Sequence, residues 1–520
     1  MFLLEISVTF AVIDYQPFNT LQDMKRLNII MLAAILLMAM LTSCGDSDGK
    51  SEPQNQEPQP EDINDSKPVE PNNGNTTELP FAYGADAGWL TEMESKGIKF
   101  YDNSGKETEC FALLKSIGFN AARMRVWVQP TNKNGYGPWC DKADVVAKSK
   151  RAAALGYKIM IDFHYSDNWA DPGQQRKPEA WDNFTTIDEI ATAAYDHTKD
   201  VLTAIKEAGV DVAWVQIGNE TTGGMLKTQS DKSATDLNCA LDNHTDYYIK
   251  VHNTARKAVK EVFPDCKIIV HFDRGQLWDK FSWGLDKLVK GGAEFDIFGL
   301  SIYPDLTDAN WYKNYVDALI ANLNKVAATY DKDVMVCEVG CANIASYNSR
   351  RAINDIVVRA KKEVSRCKGV FYWEPECYGS WNQYPMGGFL SSGKPSEALN
   401  AFNENYSELL PATDPNAAAL KEENLYLYTK EGELLAECTP DGDGVWRGTI
   451  TITTDYLNFT AIDGKGVKYA VKDWDTWNSF VKATATYDHL WFGGNIYKAG
   501  TYDVWFDLAK GTWGGAKAAK

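Results

Sequence analysis

The sequence predicts an α/β fold, a (β/α)8 TIM barrel followed by a C-terminal all-β sandwich domain. Three observations carry this. Between Phe81 and Phe402 short apolar runs alternate eight times with longer helical patterns, the mark of repeated β-α units around a parallel sheet. Polar residues crowd at the C-terminal ends of those runs, where barrel enzymes place their sites. After Asp414-Pro415 the pattern changes to short alternating strands separated by turns such as Asp441-Gly442-Asp443-Gly444. A doubly wound open sheet is the alternative, but no Gly-rich phosphate fingerprint follows the first strand.

In order, the predicted strands are Ala82 to Asp86, Ala121 to Val126, Lys158 to Phe163, Ala213 to Gly218, Lys267 to Phe272, Ile297 to Ser301, Asp333 to Glu338 and Gly369 to Trp373. The helices between and after them are Thr108 to Ile117, Lys142 to Leu155, Ile187 to Ala208, Asp246 to Val262, Trp283 to Val289, Trp311 to Ala328, Arg350 to Arg366 and Pro395 to Phe402. The strand ends bring Asp86, Arg125, Trp127, Asp162, His164, Tyr165, Asn219, Glu220, His271, Asp273, Ser301, Tyr303, Glu338, Trp373 and Glu374 to one rim. Any one of them could be a structural polar residue satisfied by backbone; together they describe a binding site.

Two of these residues define a chemistry. Glu220 closes the run Trp214-Val215-Gln216-Ile217-Gly218-Asn219-Glu220, and Glu338 lies in Val334-Met335-Val336-Cys337-Glu338. Breaking a glycosidic bond needs a proton for the leaving oxygen and a nucleophile, or an activated water, at the anomeric carbon. Two carboxyls in different environments supply both. Taken singly, either glutamate reads as an ion-pair or capping residue.

At 520 residues the chain exceeds one core of ordinary size, so two domains plus accessory segments are expected: 1–44 signal, 45–79 linker, 80–410 barrel, 411–520 β domain. With 53 basic and 71 acidic residues the net charge is −18, and without a basic cluster in the folded part nucleic acid is excluded as a partner. A monomer is expected.

Lys25-Arg26 precede the apolar run Leu27 to Leu41, short for a membrane span but right for a signal core. It ends in Leu41-Thr42-Ser43-Cys44, which resembles a bacterial lipoprotein box, and Met24 is the more natural start. A lipidated Cys44 would anchor the chain to the cell envelope, at the outer membrane, facing outward or into the periplasm. A plain cleaved signal and a short anchor helix are the alternatives. Gly45 to Leu79 is rich in Pro, Glu, Asp, Asn, Gln and Ser and reads as a disordered tether. The remaining nine cysteines show no CxxC pair, so buried thiols or one or two incidental disulfides are expected.

The stretches Tyr83-Gly84-Ala85-Asp86, Arg123-Met124-Arg125-Val126-Trp127, Asp162-Phe163-His164-Tyr165-Ser166-Asp167-Asn168-Trp169-Ala170-Asp171-Pro172, Ile217-Gly218-Asn219-Glu220, Gly299-Leu300-Ser301-Ile302-Tyr303-Pro304 and Tyr372-Trp373-Glu374-Pro375 resemble glycoside hydrolase family 53, the endo-β-1,4-galactanases among the clan A retaining barrels. The resemblance implies β-1,4-galactan as substrate, Glu220 as general acid and base, and Glu338 as nucleophile. It implies that Asn219 bonds the sugar 2-hydroxyl, that Arg125 and Tyr303 hold Glu338 ionised, and that Trp373 is a platform. Asp86, Asp162, His164 and Trp169 would line the cleft, with Trp139 and Trp181 divided between core and cleft. Glu374 is expected to bind substrate or to be structural. No cofactor is implied. Some members bind calcium in an Asp-rich loop after the nucleophile strand, but Gly340 to Ser346 is short and has no acidic residue. A glycan-binding protein that no longer catalyses, and an endo-glycanase acting on another β-1,4-glycan such as mannan, remain as alternatives.

In the last segment, Tyr502, Val504, Phe506 and Leu508 alternate with Asp503, Trp505 and Asp507, as a two-faced strand requires. Its Gly-Thr-Tyr-Asp-Val ending loosely resembles β domains of surface glycan-binding lipoproteins. Trp446, Trp474, Trp477, Trp491, Trp505 and Trp513 either stack on sugars or fill a small core.

Overall fold

The computed structural model describes residues 79–131, 137–227, 237–379, 381–415, 420–452, 457–472, 478–483, 489–492 and 498–518. The signal, Cys44, the linker up to residue 78, Trp474 and Trp477 lie outside the described residues.

Eight parallel strands close a barrel: β1 (Ala82–Asp86), β2 (Ala121–Val126), β3 (Lys158–Phe163), β4 (Val212–Ile217), β5 (Lys267–Phe272), β6 (Ile297–Ile302), β7 (Asp333–Val339) and β8 (Cys367–Tyr372), in the order β1-β8-β7-β6-β5-β4-β3-β2. Helices α1 (Leu90–Ser95), α2 (Cys110–Ile117), α3 (Lys142–Ala154), α4 (Ile187–Glu207), α5 (Thr245–Val262), α6 (Trp278–Gly291), α7 (Ala318–Tyr330) and α8 (Tyr347–Glu363) accompany them. Several starts are chemically marked: Asp141 caps α3, Thr186 and Glu189 form a capping box on α4, and Ser346 caps α8.

Four elements depart from the sequence expectation. Helix α6 begins at Trp278 because Trp278, Phe281, Leu285 and Leu288 share one apolar face. A π-helical turn, Tyr312–Asp317, precedes α7, and Glu397–Phe402 is a 3-10 helix. Strand β4 stops at Ile217 because Gly218, at φ 84°, turns the chain into the left-handed region that suits glycine.

Every residue of β2 is buried, and its alternation shows in the core that each side chain joins. Ala122 and Met124 join the core between sheet and helices, while Ala121 joins the barrel interior with Met160, Trp214, Ile269, Met335 and Phe371. Gly84 and Gly299 make room for this layer: a Cβ at Gly84 would lie 2.1 Å from the Phe371 ring, and one at Gly299 would lie 2.4 Å from Cys337 Sγ. Above it the interior turns polar.

After residue 420 nine antiparallel strands follow: β9 (Leu425–Thr429), β10 (Leu434–Pro440), β11 (Val445–Ile452), β12 (Leu457–Asp463), β13 (Lys468–Val471), β14 (Phe480–Lys482), β15 (Leu490–Phe492), β16 (Gly500–Asp507) and β17 (Thr512–Lys517). Their order is β14-β13-β12-β9-β10-β11-β16-β17, with β15 on β12. This continuous sheet folds over on itself, because Phe459 of β12 meets Trp513 of β17 at 5.3 Å across one shared core. Trp513 is thus a core residue. Trp446 is half-buried, donating to Glu423 O at 2.6 Å, and Trp505 is half-buried over Gly514. The nine described cysteines are free and buried.

Candidate active site

Inward side chains of the barrel strands converge on Arg123, which is 1% exposed. A buried guanidinium is tolerable only when its donors are matched, and here all five are used. Nε donates to Gln216 Oε1 at 3.2 Å; one terminal nitrogen donates to Asp86 at 2.5 Å and Glu338 Oε1 at 2.9 Å; the other donates to Asp162 at 2.8 Å and Asn219 Oδ1 at 2.7 Å.

Glu338 reaches this hub through an irregularity of β7. Leu300 faces Val336 but Ser301 faces Glu338, and on the other side Val370 faces Val336 while Tyr372 faces Val339. The extra residue is a β-bulge, so Cys337 and Glu338 both face inward despite being consecutive. Tyr303 Oη donates to Glu338 Oε2 at 2.7 Å.

Glu220 lies beyond β4, at φ 45°, on the turn opened by Gly218. Thr221 N donates to His271 O at 2.8 Å and fastens this turn to β5. The Ser301 hydroxyl bonds the Glu220 carboxyl, and His271 Nε2 lies 2.8 Å from Ser301 Oγ. Burial and the neighbouring Glu338 charge push Glu220 well above the usual carboxylate range. Burial raises Glu338 as well, but Arg123 and the Tyr303 hydroxyl pull it back, so of the two Glu220 keeps the proton. Burial, with Arg123 nearby, holds His271 neutral by lowering its pKa far below the ordinary value.

The Asn219 side chain is held from both ends, its Oδ1 by Arg123 and its Nδ2 donating to Ala170 O at 2.8 Å. One amide hydrogen remains for a ligand hydroxyl. Asp162 accepts from His164 Nε2 at 3.0 Å, and Arg123 and His164 outweigh burial to lower its pKa. Burial pushes Asp86 up to about 8 despite Arg123.

An aromatic wall adjoins the acids. Trp373 and Trp169, both half-buried, pack with Trp89 at ring distances of 5.3 and 5.2 Å, and Trp127 meets Trp169 at 5.3 Å. Trp89, Arg125, Trp127, Trp139 and Trp169 border a cleft of about 270 Å³. Trp181, 5% exposed against Tyr165, belongs to the core.

Flat rings beside two carboxyls of unequal proton affinity can hold a sugar and cleave its acetal. Residues 82–414 match the family described as Glycosyl hydrolase family 53. The chain belongs to this family. An endo-beta-1,4-galactanase of Bacillus subtilis (strain 168) is 31% identical over 322 residues, 57% of this chain and 70% of that protein. An arabinogalactan endo-beta-1,4-galactanase of Thermothelomyces thermophilus is 30% identical over 315 residues, covering 56% and 88%. A solved fungal beta-1,4-galactanase structure aligns with a TM-score of 0.54 at 27% identity, covering 62% of this chain and 99% of its own.

Within this family 53 barrel one expected contact goes to a different residue. Arg125 was expected to hold Glu338, but the structure gives that contact to Arg123. Arg125 sits one pleat higher, pairs with Glu374, and lies under the aromatic wall with Trp169 at 4.2 Å. Glu374 is buried rather than open to the cleft, and also accepts from Trp89 N at 3.0 Å. Beside it the Glu376 carboxyl, 0% exposed, has no donor facing it; burial and Glu374 push its pKa well up, so it is a neutral acid hydrogen-bonded to Glu374. Arg123 and Gln216 were legible only as polar residues at inward positions of apolar strands. Trp89 and Tyr384 stand in loops and carried no periodic signal.

The residues 340–346 do not fit calcium. They offer no carboxylate, the Ala342 carbonyl accepts from Ser349 Oγ at 2.6 Å, and the Asn343 carbonyl accepts from Ser346 N at 2.8 Å.

Proposed function

We propose that this protein is a retaining endo-β-1,4-galactanase that cuts the galactan chains of pectin, with Glu338 as nucleophile and Glu220 as acid and base. The observation that carries the assignment is the unequal treatment of two carboxyls: Glu338 receives an arginine and a phenol donor, while the half-buried Glu220 is raised by desolvation and by the charge of Glu338. Glu338 attacks the anomeric carbon as Glu220 protonates the leaving oxygen. The C–O bond to the leaving chain breaks, and a glycosyl-enzyme ester forms. Glu220, now ionised, takes a proton from water, whose oxygen displaces Glu338 and restores the starting configuration. Asn219 bonds the 2-hydroxyl, and Trp373 stacks on the ring being cleaved.

The names of the relatives support galactan as substrate. The proposal takes the protein to act as a monomer. The proposal extends to lipid anchoring through Cys44 at the cell envelope and to polysaccharide retention by the C-terminal domain. Incubation with potato galactan, with mannan as a control, tests the activity through new reducing ends. No release from galactan by the wild type, or equal release by Glu338→Ala, would overturn it.

A further inference from the structure

Among the described residues the C-terminal domain is fastened to the barrel at two places. The connecting segment lies along α8: Asn354 Nδ2 donates to Glu408 O at 2.9 Å, Leu410 N to Asp355 Oδ1 at 3.0 Å, and Tyr347 Oη to Pro411 O at 2.9 Å. The second place is the tight turn between β9 and β10, closed by Thr429 N to Glu433 O at 2.8 Å and Gly432 N to Thr429 O at 3.0 Å.

At that turn Glu431 O accepts from Ala345 N at 2.7 Å. Gly432 has φ 87°, and a Cβ there would lie 3.2 Å from Asn343 Cβ and 3.4 Å from Ser346 N. A residue without Cβ lets the turn come this close.

The segment so gripped is the one that leaves the nucleophile strand. A Cβ at Gly340 would lie 3.0 Å from Tyr384 Oη and 3.1 Å from Tyr303 Cε1, and Tyr303 is the phenol that donates to Glu338. A second line of contact runs through Tyr384, whose hydroxyl donates to Trp373 O at 3.2 Å and whose ring lies 4.7 Å from Trp373. Lys430 and Glu431 border the crevice that Tyr384 lines with Tyr378 and Pro385.

We propose that the turn Lys430-Glu431-Gly432 is a positioning element of the hydrolase site: it fixes residues 340–346 and Tyr384, and through them Tyr303 and Trp373. On this view, which rests on the hydrolase reading, the C-terminal domain serves turnover as well as any retention of polysaccharide. The loop offers no carboxylate of its own to a metal, and the turn supplies a restraint.

The full chain carrying Gly432→Val tests this, because a branched side chain meets Asn343 at a positive φ. The expected result is a fall of about tenfold in kcat on galactan with KM unchanged, as misplacement of reacting groups predicts. Hydrogen exchange at amides 341–346 is expected to quicken. A second variant, Asn343→Cys with Gly432→Cys, is expected to be slow when reduced and to recover when the disulfide joins turn and loop. Unchanged kcat and exchange in Gly432→Val, or an oxidised double variant as slow as the reduced one, overturns the proposal. If the wild type releases no sugar from galactan the hydrolase reading falls, while the exchange measurement still decides whether the turn holds the loop.

Discussion

Arg123 donates to Glu338 Oε1 at 2.9 Å, whereas Arg125, two residues further along the same strand, is turned to Glu374. The two arginines therefore act on different acids. Arg123→Lys removes a planar five-donor group that a lysine cannot replace. Glu338 then loses part of what favours its charged form, its pKa rises, and the acid limb of the kcat/KM profile on galactan moves to higher pH. A fall of about a hundredfold in kcat/KM is expected. Arg125→Lys is expected to leave that acid limb in place.

Tyr303→Phe deletes the 2.7 Å bond to Glu338 without changing ring packing. The same sign applies, so the acid limb rises, by about one pH unit, with kcat reduced about tenfold. A pH–rate series on galactan measures both, and an unmoved acid limb would remove Tyr303 from this role.

Glu220 must hold a proton when the leaving oxygen departs, and burial with the Glu338 charge raises its pKa. The alkaline limb of kcat/KM is therefore assigned to Glu220. Glu220→Ala is expected to lose galactan hydrolysis yet still form the glycosyl-enzyme from an aryl galactoside whose leaving group needs no proton, with azide accelerating its release. An alkaline limb that persists when the variant turns over the aryl galactoside would contradict the assignment.

The buried Glu376 acts as a neutral acid beside Glu374. Glu376→Gln preserves a donor without charge and should cost less than about 1 kcal/mol, whereas Glu376→Ala leaves a cavity and an unmatched Glu374, with a loss of about 2 to 3 kcal/mol. Chemical denaturation of the two variants distinguishes them, and equal losses would argue for an ionised Glu376.

His252 is fully buried, its Nδ1 has no partner, and burial lowers its pKa to about 4 from 6.5. The unfolded chain binds this proton first as pH falls, so the stability linked to His252 is present above 6.5 and is lost progressively down to about 4. The shift corresponds to about 3 kcal/mol at most. Thermal unfolding of wild type and His252→Phe at pH 7 and pH 5 checks the sign: the variant should lose less Tm on acidification.

Much of the barrel was legible because its signals are local. Alternation along β2 and the apolar runs of β3 and β5 fix those strands to the residue. The ends of β4 and β8 were less so, since Gly218 and Trp373 continue an apolar run while the backbone has already left the ladder. Trp513 shows the same limit on the other side: aromatic density cannot tell a platform from a core, and only its contact with Phe459 places it inside.

By itself the sequence determined that eight β-α units would set Glu220 and Glu338 on one rim, because strand periodicity and turn residues are written in neighbouring positions. Tertiary structure decided which arginine serves the nucleophile, since that depends on the stagger between β2 and β7. It also decided that Glu338 faces inward at all, because alternation from Met335 and Cys337 points it outward and one bulged residue reverses it. Register across a closed sheet is a relation between distant strands, and no local pattern encodes it.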